Sequence, residues 1–189
     1  MAFGSKKALQ PDETWSLFLD RDGVINQRIV DEYVVDVNGF KWIEGVKESI
    51  TWFSGVFGPI VVVTNQQGIA KGLMTESDLH EIHRFMIKEI EQSGGRIDKV
   101  YYCPALHAHN HFCRKPSPGM ALKAKKDFPR INFQKSVMVG DSISDMEFGK
   151  KLKMTTVFIS DDKKLISRND ALIDYVFPGL KEFCDYLRQ

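Results

Sequence analysis

The sequence has few cysteines, no long apolar run and almost no net charge. Its 189 residues include three cysteines, an odd and sparse set that does not suit a disulfide-stabilised secreted scaffold. No apolar stretch approaches the roughly 18 residues that a membrane-spanning helix requires. The formal net charge of +1 gives no sign of nucleic-acid or membrane binding. We therefore expect a cytoplasmic protein without nucleic-acid or membrane partners, and we expect it to be a monomer.

The first 14 residues are polar and lack the apolar stretch of a secretory signal. We expect this segment, residues 1–14, to be a flexible leader. Residues 15–189 are enough for one domain with a substantial core, and the hydrophobic content of 43% is typical of globular proteins. The sequence therefore predicts a single domain after the leader.

Apolar runs alternate with helical patterns along the chain. Strands are predicted at Trp15–Leu19, Ile60–Val63, Val100–Cys103, Ser136–Val139, Thr155–Ile159 and Tyr175–Val176. Helices are predicted at Val46–Ser54, between Thr75 and Gly94, and at Met120–Phe128, Ser144–Leu152 and Leu180–Leu187. This alternation predicts an α/β fold, a doubly wound (Rossmann-like) parallel sheet with helices on both faces. Such sheets bind ligands at the carboxyl ends of their strands.

Two carboxylates, Asp20 and Asp22, follow the first apolar run. Side chains alternate along a strand, so both point to the same side. At about 4 Å, two like charges repel by roughly 4 kcal/mol at an effective dielectric constant of about 20. A divalent cation removes that cost, although the pattern also fits a polar turn. Polar residues at the other strand ends, Thr64, Asn65 and Asp141, favour the metal site.

Together with Lys115, these strand-end residues form the set that phosphoryl transfer requires. Asp20 is the candidate nucleophile, which forms an acyl phosphate. Asp22 is the candidate general acid and base. The candidate ligands of Mg²⁺ are Asp20, Asp141 and the backbone carbonyl of Asp22. Thr64, through its hydroxyl, and Asn65, through its amide, are candidates to hold phosphoryl oxygens. Lys115 is the candidate to neutralise the negative charge that develops on the phosphoryl group.

Four motifs in order resemble those of the haloacid dehalogenase-like (HAD) superfamily: Asp20–Asn26, Val63–Gln66, Arg114–Pro116 and Gly140–Asp145. The resemblance covers Ser16 to about Ser160 and implies the roles given above. It also implies that Asp145 orients the metal ligands or the lysine. Dehalogenases of the superfamily lack an acid at the position of Asp22, so phosphate chemistry is implied. The intervals between motifs are short, which implies a HAD core without a cap domain.

A closer resemblance is to the D-glycero-D-manno-heptose-1,7-bisphosphate 7-phosphatases, through Tyr33-Val34, Phe40, Gly45-Val46, Thr64–Gly72 and Cys113–Met120. It implies Mg²⁺-dependent removal of a sugar 7-phosphate in the synthesis of nucleotide-activated heptose for bacterial surface glycans. Histidinol-phosphate phosphatases, or phosphatases of other small molecules, share the core motifs and are a second interpretation. A phospho-accepting receiver-type signalling domain is a third, from another class. In the resembling family a lysine often follows the metal-binding aspartate, where this chain has Ser142.

A sugar bisphosphate requires cationic or amide contacts for its second phosphate. Arg28, Lys71 and Arg114 are available for that purpose, and an arginine can bind a phosphate bidentately. Tyr33 and Gln66 lie in the segments that carry the resemblance and are further candidate substrate contacts. Asn65 is another.

Two of the three cysteines and three of the five histidines lie between Cys103 and Cys113. In the resembling phosphatases a structural zinc binds at this position. The Zn²⁺ ligands that the resemblance implies are Cys103, His111, Cys113 and either His107 or His109. Ala105 replaces an expected histidine, and loss of the metal is the alternative. His80 and His83 are expected on the surface of the long helix.

Overall fold

A six-stranded sheet forms the centre of the structure, a computed structural model that describes residues 8–29 and 32–189. Its strands are β1 (Ser16–Leu19), β2 (Ile60–Asn65), β3 (Lys99–Cys103), β4 (Ser136–Gly140), β5 (Thr155–Ile159) and β6 (Tyr175–Phe177). All pairs are parallel, in the order β3-β2-β1-β4-β5-β6. The order reverses between β1 and β4. The predicted doubly wound sheet is confirmed, and its switch point lies beside β1.

Six α-helices flank this sheet in the described part of the chain. They are α1 (Val46–Ser54), α2 (Glu76–Gln92), α3 (Gly119–Asp127), α4 (Ile143–Lys151), α5 (Lys163–Arg168) and α6 (Leu180–Leu187). Helix α5 was not predicted, because its six residues are too few to show a clear apolar period. Its start is fixed locally instead, since the Asp162 side chain accepts hydrogen bonds from the backbone of Lys164 and Leu165.

Successive residues of the central strands pack into two apolar layers. Leu17 and Leu19 of β1 face the layer formed with α1, α2 and α6. Phe18 faces the opposite layer, where Val61 and Val63 of β2 meet α3 and α4. Because both faces are covered by helices, the strands read as continuous apolar runs rather than as an alternating pattern. The helices on both faces confirm the predicted fold class.

Two capping boxes fix where α2 and α4 begin. Thr75 Oγ1 accepts a hydrogen bond from the Asp78 backbone N–H at 3.2 Å, and the Asp78 carboxylate accepts one from Thr75 N at 2.8 Å. At α4, Ser142 and Asp145 make the equivalent pair. Each box satisfies backbone N–H groups that the first helical turn leaves without partners. The second box also places Asp145 immediately beyond the end of β4.

The predicted leader is described only in part, since residues 1–7 lie outside the described residues. Within it, Leu9 packs against the apolar layer of α1, α2 and α6, and Trp15 N donates a hydrogen bond to Asp12 O at 2.9 Å. In the described ranges, the helices are too short or too polar to cross a bilayer. The leader's flexibility, the cytoplasmic location and the monomeric state stay predictions.

Candidate active site

The carboxyl ends of β1, β2 and β4 open into a cleft with a volume of about 440 Å³. This is where ligands bind in doubly wound sheets. The cleft brings together all ten residues predicted for catalysis, substrate binding and Mg²⁺, which are Asp20, Asp22, Arg28, Tyr33, Thr64, Asn65, Gln66, Arg114, Lys115 and Asp141.

Lys115 is buried at the base of the cleft and makes three contacts through its ammonium group. Nζ lies 2.9 Å from Asp20 Oδ1 and 2.6 Å from Asp145 Oδ1, and it donates a hydrogen bond to Val63 O at 2.7 Å. The backbone of Lys115 is held as well. Its N–H donates to Asn65 Oδ1 at 3.0 Å, and Asn65 Nδ2 donates to its carbonyl at 3.2 Å. The Asn65 side chain therefore connects the end of β2 to the lysine.

Asp20 lies in the most acidic part of the site. Burial, together with the charges of Asp145, Asp141 and Asp22, raises the pKa of the Asp20 carboxyl to about 8, although Lys115 opposes the shift. The pKa of Lys115 is also raised: burial lowers it, but the attraction of Asp145 and Asp20 is stronger. One buried ammonium thus faces several carboxylates, and this imbalance favours a further cation.

The carboxylate of Asp22 accepts hydrogen bonds from three side chains. Arg21 Nη2 donates to both oxygens at 3.0 and 2.9 Å, Asn26 Nδ2 donates at 2.9 Å, and Gln66 Nε2 donates at 2.8 Å. Gln66 also donates to Thr64 Oγ1 at 2.8 Å, so its side chain connects two predicted catalytic groups. Burial raises the pKa of Asp22, but Arg21 and the hydrogen bonds more than offset this and hold it below its ordinary value.

His83 is buried in the core side of α2 rather than on its surface, so that expectation was wrong for this residue. It is 6% exposed, and its Nε2 lies 3.3 Å from Arg21 Nη1. The sequence contained the signal: His83 follows Leu79 by four residues and precedes Met86 by three, which places it on the apolar face of the helix. His80 is exposed, as expected.

Hard oxygen donors are available for Mg²⁺. Carboxylate oxygens of Asp20, Asp141 and Asp145 lie within 4.8 Å of one another. Asp145 is already engaged, because it pairs with Lys115 and its Oδ2 accepts hydrogen bonds from Ser142 N at 3.1 Å and Ser142 Oγ at 2.6 Å. Asp20 and Asp141 therefore remain as the carboxylates that could hold a cation, and this donor set fits Mg²⁺. Ser142 itself caps α4.

Arg28 reaches across the cleft to this candidate metal site. Its Nη1 lies 3.2 Å from Asp141 Oδ2, and 61% of its side chain is exposed. Burial and the charge of Asp145 raise the pKa of Asp141, whereas Arg28 lowers it. In this structure Arg28 is paired with an acid of the site.

A polar, cationic rim surrounds the outer part of the cleft. Gln67 Nε2 donates a hydrogen bond to the Tyr33 hydroxyl at 2.8 Å, and Lys71 Nζ lies 5.1 Å from the centre of the Tyr33 ring. Arg114 Nη1 donates to a backbone carbonyl of the preceding loop at 3.1 Å. Arg114 Nε is buried and has no hydrogen-bond partner within residues 8–29 and 32–189. Arg114 also lines the cleft, so its guanidinium group is a candidate contact for an anion.

The structure does not support the predicted zinc site. Cys103 and Cys113 form a disulfide, with their Cα atoms 5.4 Å apart, so neither offers a free thiolate for Zn²⁺. His111 Nδ1 is near, at 3.0 Å from Cys113 Sγ. In the described ranges, the cluster of possible ligands contains these three residues and includes neither His107 nor His109. The disulfide also departs from the expectation drawn from the odd cysteine count.

Several known proteins that resemble this chain are phosphatases. A family model described as HAD-hydrolase-like matches residues 112–183. A D-glycero-alpha-D-manno-heptose-1,7-bisphosphate 7-phosphatase of Campylobacter jejuni is 35% identical over 177 residues, which cover 94% of this chain and 98% of the relative. The enzyme with the same name from Mycobacterium bovis is 41% identical over 169 residues, 89% of each chain. A D-glycero-beta-D-manno-heptose-1,7-bisphosphate 7-phosphatase of Vibrio cholerae is 36% identical over 91% of this chain and 95% of its own.

A solved structure has the same fold. The D,D-heptose 1,7-bisphosphate phosphatase from B. bronchiseptica, complexed with magnesium and phosphate, matches with a TM-score of 0.81 and 26% identity, over 93% of this chain and 98% of that one. The receiver-type interpretation is therefore excluded. This chain is a phosphoric monoester hydrolase of the HAD superfamily and belongs to the family of the D-glycero-D-manno-heptose-1,7-bisphosphate 7-phosphatases.

Proposed function

We propose that this enzyme removes the 7-phosphate of D-glycero-D-manno-heptose 1,7-bisphosphate through an aspartyl phosphate on Asp20, in the synthesis of nucleotide-activated heptose. One observation carries the mechanism. Asp20 Oδ1 is held by Lys115 Nζ at 2.9 Å and by Arg21 N at 2.7 Å, whereas Oδ2 makes no hydrogen bond within the described ranges. The carboxylate is thus fixed by one oxygen and keeps a lone pair on the other.

In the first half-reaction, an Asp20 carboxylate oxygen attacks phosphorus and the ester P–O bond breaks. The departing sugar oxygen takes a proton from the Asp22 carboxyl. This step requires that the negative charge of the bound phosphate raises the pKa of Asp22 from the low value that Arg21 gives it in the free site. In the second half-reaction, Asp22 accepts a proton from water as that water attacks the phosphorus of the aspartyl phosphate. Inorganic phosphate leaves, Asp20 is regenerated as a carboxylate, and Asp22 is again protonated.

The remaining groups of the site neutralise and orient the phosphoryl group. Asp20, Asp141 and the backbone carbonyl of Asp22 would hold Mg²⁺, which supplies positive charge beside the phosphoryl oxygens. Thr64 provides a buried hydroxyl at the end of β2. Lys115 is already fixed by buried partners, so its charge is in place before the substrate arrives.

The cationic rim supports a bisphosphate substrate. Arg114 and Lys71, which line the cleft near Tyr33, provide the positive charge to which the second phosphate would bind. Histidinol phosphate carries an ammonium group, which this rim would repel. Arg28 lies at the same cleft but is paired with Asp141, so a phosphate would have to draw it away from that acid.

A substrate panel tests the proposal. Phosphate release is measured for both anomers of the heptose 1,7-bisphosphate, for heptose 7-phosphate and for histidinol phosphate, and ³¹P NMR identifies which phosphate is lost. We expect the bisphosphate to have the highest kcat/KM and to lose its 7-phosphate. A higher kcat/KM for histidinol phosphate would refute the substrate assignment.

Two variants separate the chemistry from the recognition of the second phosphate. Asp20→Asn should abolish turnover, and retained turnover would refute the covalent route. Arg114→Gln should raise KM for the bisphosphate by about 10-fold, the worth of one hydrogen bond to a charged group, and leave the monophosphate unchanged. Arg84→Gln is the matched control, because Arg84 is 76% exposed on α2 and lies outside the cleft.

A further inference from the structure

Arg21 is the largest fully buried side chain among the described residues, and it lies between the two acids of the first motif. Its guanidinium group makes hydrogen bonds to two side chains. Nε and Nη2 donate to Asp22, at distances between 2.9 and 3.3 Å, and Nη1 lies 3.3 Å from His83 Nε2. The mechanism above uses the backbone N–H of Arg21 but neither its guanidinium group nor His83.

The contact fixes the state of His83. A guanidinium group can only donate, so Nε2 must accept and the ring proton must be on Nδ1. Burial, followed by the charge of Arg21, lowers the pKa of His83 to about 3, while Asp22 opposes the shift. The imidazole is therefore neutral around pH 7. The imidazole ring packs beside the Tyr102 ring, with the ring centres 6.1 Å apart. His83 therefore provides a lone pair in a fixed position on α2.

We infer that His83 is a positioning residue, which acts through Arg21 to hold the carboxylate of Asp22 in its orientation for proton transfer to the leaving group. This inference rests on the proposed function of Asp22. The guanidinium group is planar and rigid, so a change at Nη1 also moves Nε and Nη2 relative to the carboxylate. Asn26 and Gln66 hold the same carboxylate, but among its donors only Arg21 is anchored to α2.

A test should distinguish orientation of the acid from a general structural role. A poor leaving group needs a proton in the transition state, whereas p-nitrophenolate leaves well without one. We therefore compare kcat/KM for phenyl phosphate and p-nitrophenyl phosphate, which report the first half-reaction and do not depend on the sugar assignment. His83→Leu should lower kcat/KM about 10-fold for phenyl phosphate and less than about threefold for p-nitrophenyl phosphate.

Two amide variants provide the matched pair. His83→Gln places an amide oxygen near the position of Nε2 and should restore kcat/KM for phenyl phosphate to within about threefold of wild type. His83→Asn is equally polar but too short to reach Arg21, and it should behave like the leucine variant. This pair decides the question even if His83→Leu does not fold. Equal losses with both substrates, or indistinguishable Gln and Asn variants, would overturn the inference.

Asp22→Asn serves as the reference in the same assay. It should show the same dependence on the leaving group, with a larger loss for phenyl phosphate. If Asp22→Asn shows this pattern and the His83 variants do not, the inference about His83 fails while the proposed role of Asp22 stands. If Asp22→Asn lacks the pattern, the acid role itself fails, and the inference fails with it.

Discussion

Gly23 allows a sharp test of the proposed metal site, because its backbone leaves no room for a side chain. Its φ angle of +85° lies in the left-handed region. A Cβ atom at this position would lie 2.1 Å from Asp141 Oδ2, and real Cβ contacts essentially never fall below 3.0 Å. In Gly23→Ala the Asp141 carboxylate must therefore move by roughly 1 Å, a shift that matters for a ligand of a small ion.

Two costs follow from the substitution, and they have different signatures. Alanine in the left-handed region costs about 1–2 kcal/mol of stability. Mg²⁺ requires near-octahedral geometry with oxygen distances of about 2.0–2.1 Å, so displacing one carboxylate weakens binding. By analogy with lost ligand orientation at other metal sites, we expect the Mg²⁺ concentration for half-maximal activity to rise about 10- to 100-fold.

Gly94→Ala is the matched control. Gly94 has a φ angle of +82°, but a Cβ there would meet nothing closer than Thr51 Cγ2 at 3.8 Å. It should therefore have the same strain as Gly23→Ala without displacing a metal ligand. The assay titrates activity with Mg²⁺ and measures unfolding by urea. Equal Mg²⁺ dependence in the two variants would refute the assignment of Asp141 as a metal ligand positioned by Gly23.

Three further predictions concern stability. Lys115→Met removes the ammonium group buried between Asp20 and Asp145. It should lower the free energy of unfolding, measured by urea titration, by about 3–5 kcal/mol. A loss below about 1 kcal/mol would contradict the stabilising role of these buried ion pairs. His83 has an unfolded pKa of 6.5 and a folded pKa of about 3, so the unfolded state binds the extra proton and stability falls as the pH drops from 6.5 towards 3, by up to about 1.4 kcal/mol per pH unit. His83→Gln should flatten that slope, and unchanged slopes would refute it. Thr75→Ala should lower stability by about 1 kcal/mol in thermal unfolding and leave kcat/KM unchanged, because it removes a helix cap outside the cleft; a wild-type melting temperature would contradict the cap.

The sheet was predictable because its central strands are buried on both faces. Continuous runs such as Ile60–Val63 identify such strands without any need for alternation. The cleft followed from the same observation, since Asp20, Thr64 and Asp141 all come at or directly after the end of a run. Because ligands bind at the carboxyl ends of the strands in doubly wound sheets, these residues are predicted to lie together at one edge of the sheet. Local order along the chain was sufficient for these inferences.

The contacts that orient the site could not be read in this way. Arg21 and His83 are 62 positions apart, and their pairing depends on how α2 packs against the end of β1. The role of the Asn65 side chain depends likewise on Lys115, 50 positions away. Spacing within one segment carries no information about such pairs. The zinc site predicted between Cys103 and Cys113 was not supported for another reason. The resemblance indicated which types of residue bind zinc, but it did not show whether the two sulfurs would form a disulfide instead.

The like-charge repulsion inferred from the first motif is resolved only in part by the protein itself. Asp22 is neutralised by Arg21, and Asp145 shares Lys115 with Asp20. Among the described residues, Asp141 forms an ion pair with Arg28 alone. Because 61% of the Arg28 side chain is exposed, solvent screens this attraction and the pair contributes little. The net result is a raised pKa at both ends of the cluster, Asp20 and Asp141, because burial and the neighbouring carboxylates outweigh these two cations. A proton and a divalent cation are alternative ways to relieve the same excess charge, so the acids that make this site costly to fold are those that prepare it to bind Mg²⁺.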